Sequence, residues 1–92
     1  MSDIEQTLEE RGARYGRFDE QAVLAQCIKN ILSAHASLWR LHQANHVMRE
    51  ALDMIASKLA RIACGDPTYK DNWHDIIGYC TLVLRELETY DD

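Results

Sequence analysis

Two long segments carry the same hydrophobic repeat, and this repeat restricts the chain to packed helices. Between residues 46 and 64, apolar side chains are spaced four, three, four and three residues apart: Met48, Leu52, Ile55, Leu59 and Ile62. Between residues 72 and 89 the same spacing recurs: Trp73, Ile77, Cys80, Leu84 and Leu87. Such spacing places each set on one stripe of an α-helix. Asn45 is expected to cap the first of these helices. Gly65 is expected to end it in a left-handed conformation, and Pro67 to block its continuation. The two matched stripes, joined by a short connection, predict an antiparallel helical hairpin in which the stripes pack against each other.

The remaining apolar pattern predicts two further helices and no strands. A first helix is expected over about residues 4–13, and a second over about residues 20–36. The buried stripe expected for the second helix, with its two flanking residues, is Leu24, Ile28, Ile31, His35, Cys27 and Leu32. Trp39 and Leu41 lie in an ambiguous connector and are expected to pack under the bundle. The fold class is therefore all-α, with a short N-terminal helix followed by three longer antiparallel helices.

The chain length predicts one domain that gains from self-association. All 92 residues are expected to form a single helical domain, with an N-terminal helix and loop over 1–17 and a helical core over 18–92. A chain of this size buries roughly 60–65% of its unfolded surface, so its core is modest. Ile76, Val83 and Tyr90 widen the last stripe into a second apolar edge. We therefore expect homo-oligomerisation to complete the bundle.

Composition and charge argue against several classes of partner. The formal net charge is −5, and no dense run of Lys or Arg is present, so direct nucleic-acid binding is not expected. The longest apolar runs are a few residues, far below the ~20 needed to span a bilayer, so no membrane role is expected. The acidic N-terminal stretch lacks the apolar core of a signal peptide, and the three cysteines are scattered. These features predict a cytoplasmic protein with reduced thiols.

Carboxylates concentrate on the last two predicted helices. Glu50 and Asp53 lie three residues apart and therefore one turn above each other. Asp71 is well placed to cap the last helix, where its charge meets the positive end of the helix dipole. Asp75 lies one turn further and has no such role. In a simple hairpin the early third helix faces the late fourth helix, so a crossing angle or a second subunit is needed to bring Glu50 and Asp53 to Asp75.

Two stretches resemble a small domain family of unknown function that is frequent in tailed phages and prophages. They are "LEERGARYGRFDEQA" and "REALDMIASKLARIACGDPTYKDNWHDIIGYCTLV", which together cover over half of the chain. The motifs that carry the resemblance occur in order: Arg-Tyr-Gly, Lys-x-x-Arg-Ile, Gly-Asp-Pro and Asp-x-Trp-His-Asp-Ile. That family is more distantly similar to nucleotide-modification-associated domains and to MazG-like all-α nucleotide pyrophosphohydrolases.

The MazG-like resemblance implies a magnesium site on the last two helices. In those proteins Glu-x-x-Glu on one helix and Glu-x-x-Asp on the next hold Mg²⁺, which binds a nucleotide triphosphate. Hard oxygen ligands suit this ion. Carried onto this chain, the pattern implies Glu50, Asp53 and Asp75 as ligands, with Asp71 or Asn72 at the third position. Asp53 replaces a Glu and Asn72 lacks a charge, which puts hydrolysis in doubt.

Cations and tyrosines near these carboxylates are candidates for contacts to the rest of a nucleotide. Lys58, Arg61 and Lys70 are candidate phosphate-binding residues; a solvated helix face near a C-terminus is the simpler interpretation of Lys58 and Arg61. Tyr15 and Tyr69 on loops are candidates for stacking on a base, and packing over a core edge is the simpler interpretation.

Two functions follow from these patterns. The first is a divergent MazG-like protein that binds nucleotide phosphate, or hydrolyses it, with Mg²⁺. The alternative is a non-catalytic acidic interaction module, such as a phage-encoded inhibitor of a host protein or defence complex, which presents negative charge to a basic partner. The sequence leaves open whether the protein is an enzyme. Both hypotheses predict a homo-oligomer.

Overall fold

The computed structural model describes residues 3–34 and 43–90 and contains four α-helices and no strand within those ranges. They are α1 (Asp3–Tyr15), α2 (Phe18–Ala34), α3 (His46–Cys64) and α4 (Lys70–Glu88). The predicted all-α class, with a shorter first helix and three longer ones, is confirmed. None of the described helices is long and apolar enough to cross a membrane. His35, Trp39 and Leu41, which carried sequence expectations, lie outside the described residues.

Local signals set the limits of α3. The side chain of Asn45 accepts a hydrogen bond of 2.9 Å from the backbone N–H of Met48, which satisfies one of the free donors at the start of the helix. At the other end the N–H of Gly65 bonds to the carbonyl of Arg61. Both predicted boundaries are therefore confirmed. The expected left-handed conformation of Gly65 is wrong, because this residue has φ = −116°. The five-residue loop 65–69 then leads into α4, which begins at Lys70, two residues earlier than the sequence predicted.

The three long helices form a single layer with α3 in the middle. Helix α3 packs extensively against α2 on one side and against α4 on the other. Helix α1 makes smaller contacts with α2 and α3. The result is an elongated molecule, 54 × 28 × 23 Å, rather than a closed bundle.

The fully buried core is small for a chain of this length. Among the described residues, the buried hydrophobic side chains are four alanines: Ala25, Ala51, Ala56 and Ala60. The accessible surface is 6829 Å², whereas a compact monomer of this mass exposes about 5,500 Å². The radius of gyration, 15.5 Å, likewise exceeds the about 12 Å expected for a compact domain of this length. Much apolar surface is therefore left uncovered in one chain.

Helix α4 meets α3 through a different face from the one that its apolar repeat suggested. The predicted residues, Trp73, Ile77, Cys80, Leu84 and Leu87, are all exposed, and we call them the α4 stripe. The less exposed residues lie one position earlier, with the same spacing: Asn72, Ile76, Tyr79, Val83 and Glu86. The expectation that the α4 stripe packs on α3 is therefore wrong. Periodicity could not decide the face, because α4 has two overlapping apolar edges.

The predicted stripe on α2 is also only partly covered. Ala25 is the buried residue of this helix, and Leu24, Ile28 and Leu32 are half-buried. Ile31 keeps 58% of its surface exposed, and Cys27 is exposed as well. The expectation that Ile31 is buried is wrong for a single chain.

Candidate functional site

Asp75 is paired with a cation from the neighbouring helix. The ammonium of Lys58 on α3 lies 2.9 Å from a carboxylate oxygen of Asp75 on α4. The Lys58 side chain is 9% exposed and the Asp75 side chain 49%. Sequence reasoning placed Lys58 either on a solvated helix face or against a phosphate, whereas the structure buries it beside Asp75. The ammonium neutralises the carboxylate that the resemblance assigned to magnesium.

The other two metal-ligand candidates lie at the start of α4: Asp71 accepts a hydrogen bond, and the side chain of Asn72 is buried. The hydroxyl of Tyr69 donates a hydrogen bond of 2.7 Å to a carboxylate oxygen of Asp71. This hydrogen bond, followed by burial, raises the pKa of Tyr69, because both favour the protonated hydroxyl. Asn72 is 1% exposed, and neither polar atom of its side chain has a hydrogen-bond partner within the described part of the chain. Its amide faces the packed interior and not an open cleft.

Glu50 and Asp75 border two neighbouring clefts. The cleft beside Glu50, about 350 Å³, lies between α3 and α4 and includes Tyr79 and Leu82. The cleft beside Asp75, about 490 Å³, shares Tyr79 and Leu82 and also includes Arg85. Asp53 is exposed on α3 and lines neither cleft. The carboxylates thus share one side of the α3–α4 pair without meeting at one point.

Within a single chain, the described residues do not bring the candidate magnesium ligands together at one point. In residues 3–34 and 43–90, no three His, Cys, Asp or Glu side chains come together as a metal site. Asp75 already has an ammonium at hydrogen-bonding distance, and the Asn72 amide is enclosed. A site formed across two copies of the chain, which sequence reasoning left open, stays a prediction.

A second group of candidates converges at the C-terminal end of α3, where the α1–α2 turn and the loop after α3 meet through glycines. Gly16 has φ = +80°, and an added Cβ there would clash with the carbonyl oxygen of Cys64. An added Cβ at Gly65 would clash with the backbone of Tyr15. The N–H of Asp66 also donates a 2.8 Å hydrogen bond to the carbonyl of Arg14. We call this backbone contact the glycine junction; it ties the α1–α2 turn to the end of α3.

The glycine junction brings together the two tyrosines that were predicted to stack on a base. The rings of Tyr15 and Tyr69 meet edge to face, with centroids 5.8 Å apart. The guanidinium carbons of Arg11 and Arg61 lie 5.0 Å and 4.6 Å from the Tyr15 centroid. Arg14 lies 4.4 Å from the Tyr69 centroid. Each ring therefore already has protein neighbours, and guanidinium–ring attraction holds the group together.

The cleft beside this cluster is the largest of the three that we describe. It has a volume of about 550 Å³, and its lining includes Leu8, Arg11, Tyr15, Arg17, Phe18 and Arg61. We call it the arginine cleft. Arg17 is already paired: its guanidinium lies 2.6 Å from Asp19 and 3.9 Å from Glu20. The hydrogen bond from Arg17 holds the pKa of Asp19 below its usual value. Lys70, also a candidate for phosphate binding, is exposed as the first residue of α4 and does not line this cleft.

Sequence reasoning identified part of this cluster and missed the rest. Tyr15, Tyr69 and Arg61 were candidates, but Arg11 and Arg14 were not. The signal for Arg11 was present, because residues four apart on a helix share one face, and Arg11 lies four before Tyr15. No local signal pairs Arg14 with Tyr69, since that contact crosses 55 residues of chain.

Comparison of the chain with known protein families, with curated proteins and with solved structures found no match. The class that the fold defines is thus an open, single-layer helical protein with an acidic composition. Its function has to be inferred from its own surfaces.

Proposed function

We propose that the protein is a non-catalytic, self-associating interaction module, in which two copies pack face to face to complete a helical bundle. The observation that carries this proposal is the exposure of the α4 stripe. Trp73, Ile77 and Leu84 keep 49%, 62% and 59% of their surface exposed. An apolar repeat of this regularity is typical of a helix that packs against another helix.

The apolar residues of α3 and α4 emerge on the same side of the layer. At 100° per residue, Leu84 lies on nearly the opposite side of α4 from Leu82, which lines the clefts beside Glu50 and Asp75. On α3, Leu59, 43% exposed, lies half a turn around the helix from Glu50. The layer therefore has a cleft side, with Glu50 and Asp75, and a stripe side, with Leu59 and the α4 stripe.

The size and chemistry of the stripe side suit a second copy of the chain. The accessible surface of the whole chain exceeds that of a compact monomer by about 1,300 Å². A standard interface, which buries about 800 Å² per partner, is within that excess. The α4 stripe contains no charged residue, so packing it against an identical stripe leaves no charge unpaired. A twofold axis makes one such face complementary to itself.

Two substitutions on α4 test this proposal with a matched control. Leu84 and Leu82 are 59% and 53% exposed, and they lie on opposite sides of the helix. We expect Leu84→Glu to convert a dimer into a particle of 10.6 kDa in light scattering at micromolar concentration, because it buries a charge in the interface. Leu82→Glu is expected to remain dimeric. A wild-type protein that is monomeric at all concentrations, or a dimer lost equally in both variants, contradicts the proposal.

The acidic exterior gives the module a class of partner. Exposed carboxylates on α1, including Glu9 and Glu10, and on α3, including Glu50 and Asp53, lie outside the α4 stripe. A basic protein surface complements them, in line with the acidic interaction module that the composition and charge of the sequence suggested. Capture of such a partner should weaken as salt rises and should fail with Glu9→Lys/Glu10→Lys. Unchanged capture by that variant argues against an acidic docking surface.

A second candidate is nucleotide binding on the cleft side. It is favoured by the adjacency of Glu50 and Asp75, whose clefts share Tyr79 and Leu82. The Lys58–Asp75 pair weighs against it, because the ammonium holds the carboxylate that a metal would need. Calorimetric titration with Mg²⁺ and nucleoside triphosphates tests this candidate. Heat that disappears in Asp75→Ala supports it, whereas heat that persists in Asp75→Ala, or no heat in the wild type, removes it.

A further inference from the structure

We propose that the arginine cleft binds a phosphate monoester through Arg11 and Arg61. This site is separate from the α4 stripe and from the carboxylates of the cleft side, and it requires no metal. It therefore stands whether or not the protein forms dimers or binds nucleotides.

Two guanidinium groups share one aromatic ring in this cleft. Arg11 and Arg61 both have their central carbon within 5.0 Å of the Tyr15 centroid. Arg11 and Arg61 also line the arginine cleft, so both guanidinium groups border the same space. An anion in that space is attracted by both positive charges. Neither Arg11 nor Arg61 forms an ion pair among the residues that the structure describes.

The unused hydrogen-bond donors of Arg11 and Arg61 favour an oxyanion as the ligand. Contact with a ring uses the face of a guanidinium and leaves the N–H donors at its edge available. Those edges match the oxygen atoms of a carboxylate or phosphate, often in bidentate fashion. The third cation of the cleft, Arg17, already has Asp19 and Glu20 as partners. Two unpaired positive charges therefore remain, and a phosphate dianion matches both.

The glycine junction fixes the geometry of the site before a ligand arrives. Gly16 lies directly on the backbone of Cys64, and Gly65 lies on that of Tyr15. The backbone hydrogen bond from Asp66 to Arg14 closes the same contact. Tyr15 and Arg61 come from α1 and α3, so this junction holds the two halves of the site in place. Preformed sites lose less ordering entropy on binding.

The walls of the arginine cleft indicate a monoester and not a free phosphate ion. Leu8 and Phe18 line the same cleft and are 63% and 73% exposed. A ligand with an apolar substituent on its phosphate would cover both side chains while its dianion meets Arg11 and Arg61. Phenyl phosphate and inorganic phosphate are suitable probes, because they differ only in that substituent.

An NMR titration with matched arginine variants tests the proposal. We expect phenyl phosphate, added at constant ionic strength, to shift the side-chain N–H signals of Arg11 and Arg61 with a Kd in the millimolar range or below. Inorganic phosphate should bind several-fold more weakly. Arg11→Gln and Arg61→Gln should each raise the Kd about tenfold, because each removes a charge-assisted hydrogen bond. Arg49→Gln, an exposed arginine of α3 outside the cleft, should leave it unchanged.

Three results would overturn the proposal. One is the absence of shifts at Arg11 and Arg61 with either phosphate. Another is an equal response to sodium chloride, which would indicate general screening. The third is a Kd that Arg11→Gln leaves unchanged; this variant alters an exposed side chain of α1, so it tests the site even if Arg61→Gln disturbs folding.

Discussion

At the scale of single residues, removing Lys58 and removing Asp75 from their ion pair should cost different amounts of stability. Lys58 is enclosed, while Asp75 remains half exposed to water. A buried ammonium without a counterion is expensive, whereas a half-exposed carboxylate without one is largely solvated. The two partners of one ion pair should therefore differ in how much the fold depends on them.

We predict that Asp75→Asn lowers the free energy of unfolding by about 2 kcal/mol, because it leaves the Lys58 charge buried and unpaired. Lys58→Met keeps the apolar stem and should cost less than about 1 kcal/mol. Urea unfolding at one protein concentration measures both. Asp53→Asn, which changes an exposed carboxylate on α3, serves as a control and should have no measurable effect. An equal or larger cost for Lys58→Met would contradict this account.

Asp66 gives a second residue-scale prediction, on pH. Its carboxylate accepts hydrogen bonds from the hydroxyl of Thr68 at 2.7 Å and from the N–H of Thr68 at 2.9 Å. The hydroxyl hydrogen bond, followed by the N–H, lowers the pKa of Asp66. A depressed folded-state pKa contributes stability above the unfolded pKa, and this contribution is lost as pH falls through the folded pKa.

We predict that Thr68→Val raises the pKa of Asp66 towards its ordinary value and weakens this acid dependence. NMR titration of the Asp66 carboxyl carbon over about pH 2 to 7 measures the change. Thr81→Val provides the control, because the Thr81 hydroxyl donates to the carbonyl of Ile77 within α4. A Thr68→Val protein in which Asp66 titrates as in the wild type would show that the hydroxyl hydrogen bond does not form in solution.

At the scale of elements, the glycines divide into two kinds. Gly16 joins α1 to α2 with φ = +80° and lies against the backbone at the end of α3. Gly78 lies within α4, with open space around the position of an added Cβ. The first permits a contact between elements, and the second only weakens its own helix.

We predict that Gly16→Ala lowers the free energy of unfolding by about 3 kcal/mol or more, through a left-handed backbone and a clash with Cys64. Gly78→Ala should raise it by about 0.5–1 kcal/mol, since alanine favours the helix. Thermal unfolding of the two variants at equal concentration makes the comparison. If Gly16→Ala proves as mild as Gly78→Ala, the glycine junction is not a close backbone contact.

The helices were predictable as elements, but their pairing faces were not. The limits of α3 follow from Asn45 and Gly65, which act within a few residues of themselves. The contact face of α4 depends on which of two apolar edges meets α3. The structure selects the edge that includes Asn72 and Tyr79 and leaves the α4 stripe in solvent. Small residues such as Ala51 let a neighbouring helix approach α3 closely. The spacing of apolar residues along the sequence does not reveal where that approach occurs.

At the scale of the whole molecule, the extended layer predicts a stability that depends on concentration. A dimer gains about 1.4 kcal/mol for each tenfold rise in protein concentration, because only the folded state associates. For a dimer of this size we predict a rise in Tm of about 3–5 °C per tenfold. Scanning calorimetry over two decades of concentration measures it. Leu84→Glu should unfold at a Tm that does not change with concentration, and a constant Tm in the wild type would argue against the dimer.

The sequence by itself determined the helical class, the limits of α3 and the presence of more apolar surface than one chain covers. These properties arise from periodicity, capping and composition, which act locally or as totals. Only the tertiary structure decided that Lys58 is buried against Asp75, that the α4 stripe is exposed, and that Tyr15 meets Tyr69 beside Arg61. The contacts among these join residues far apart in the chain. Packing across the whole layer selects their partners, and a pattern within a few residues of sequence does not contain that information.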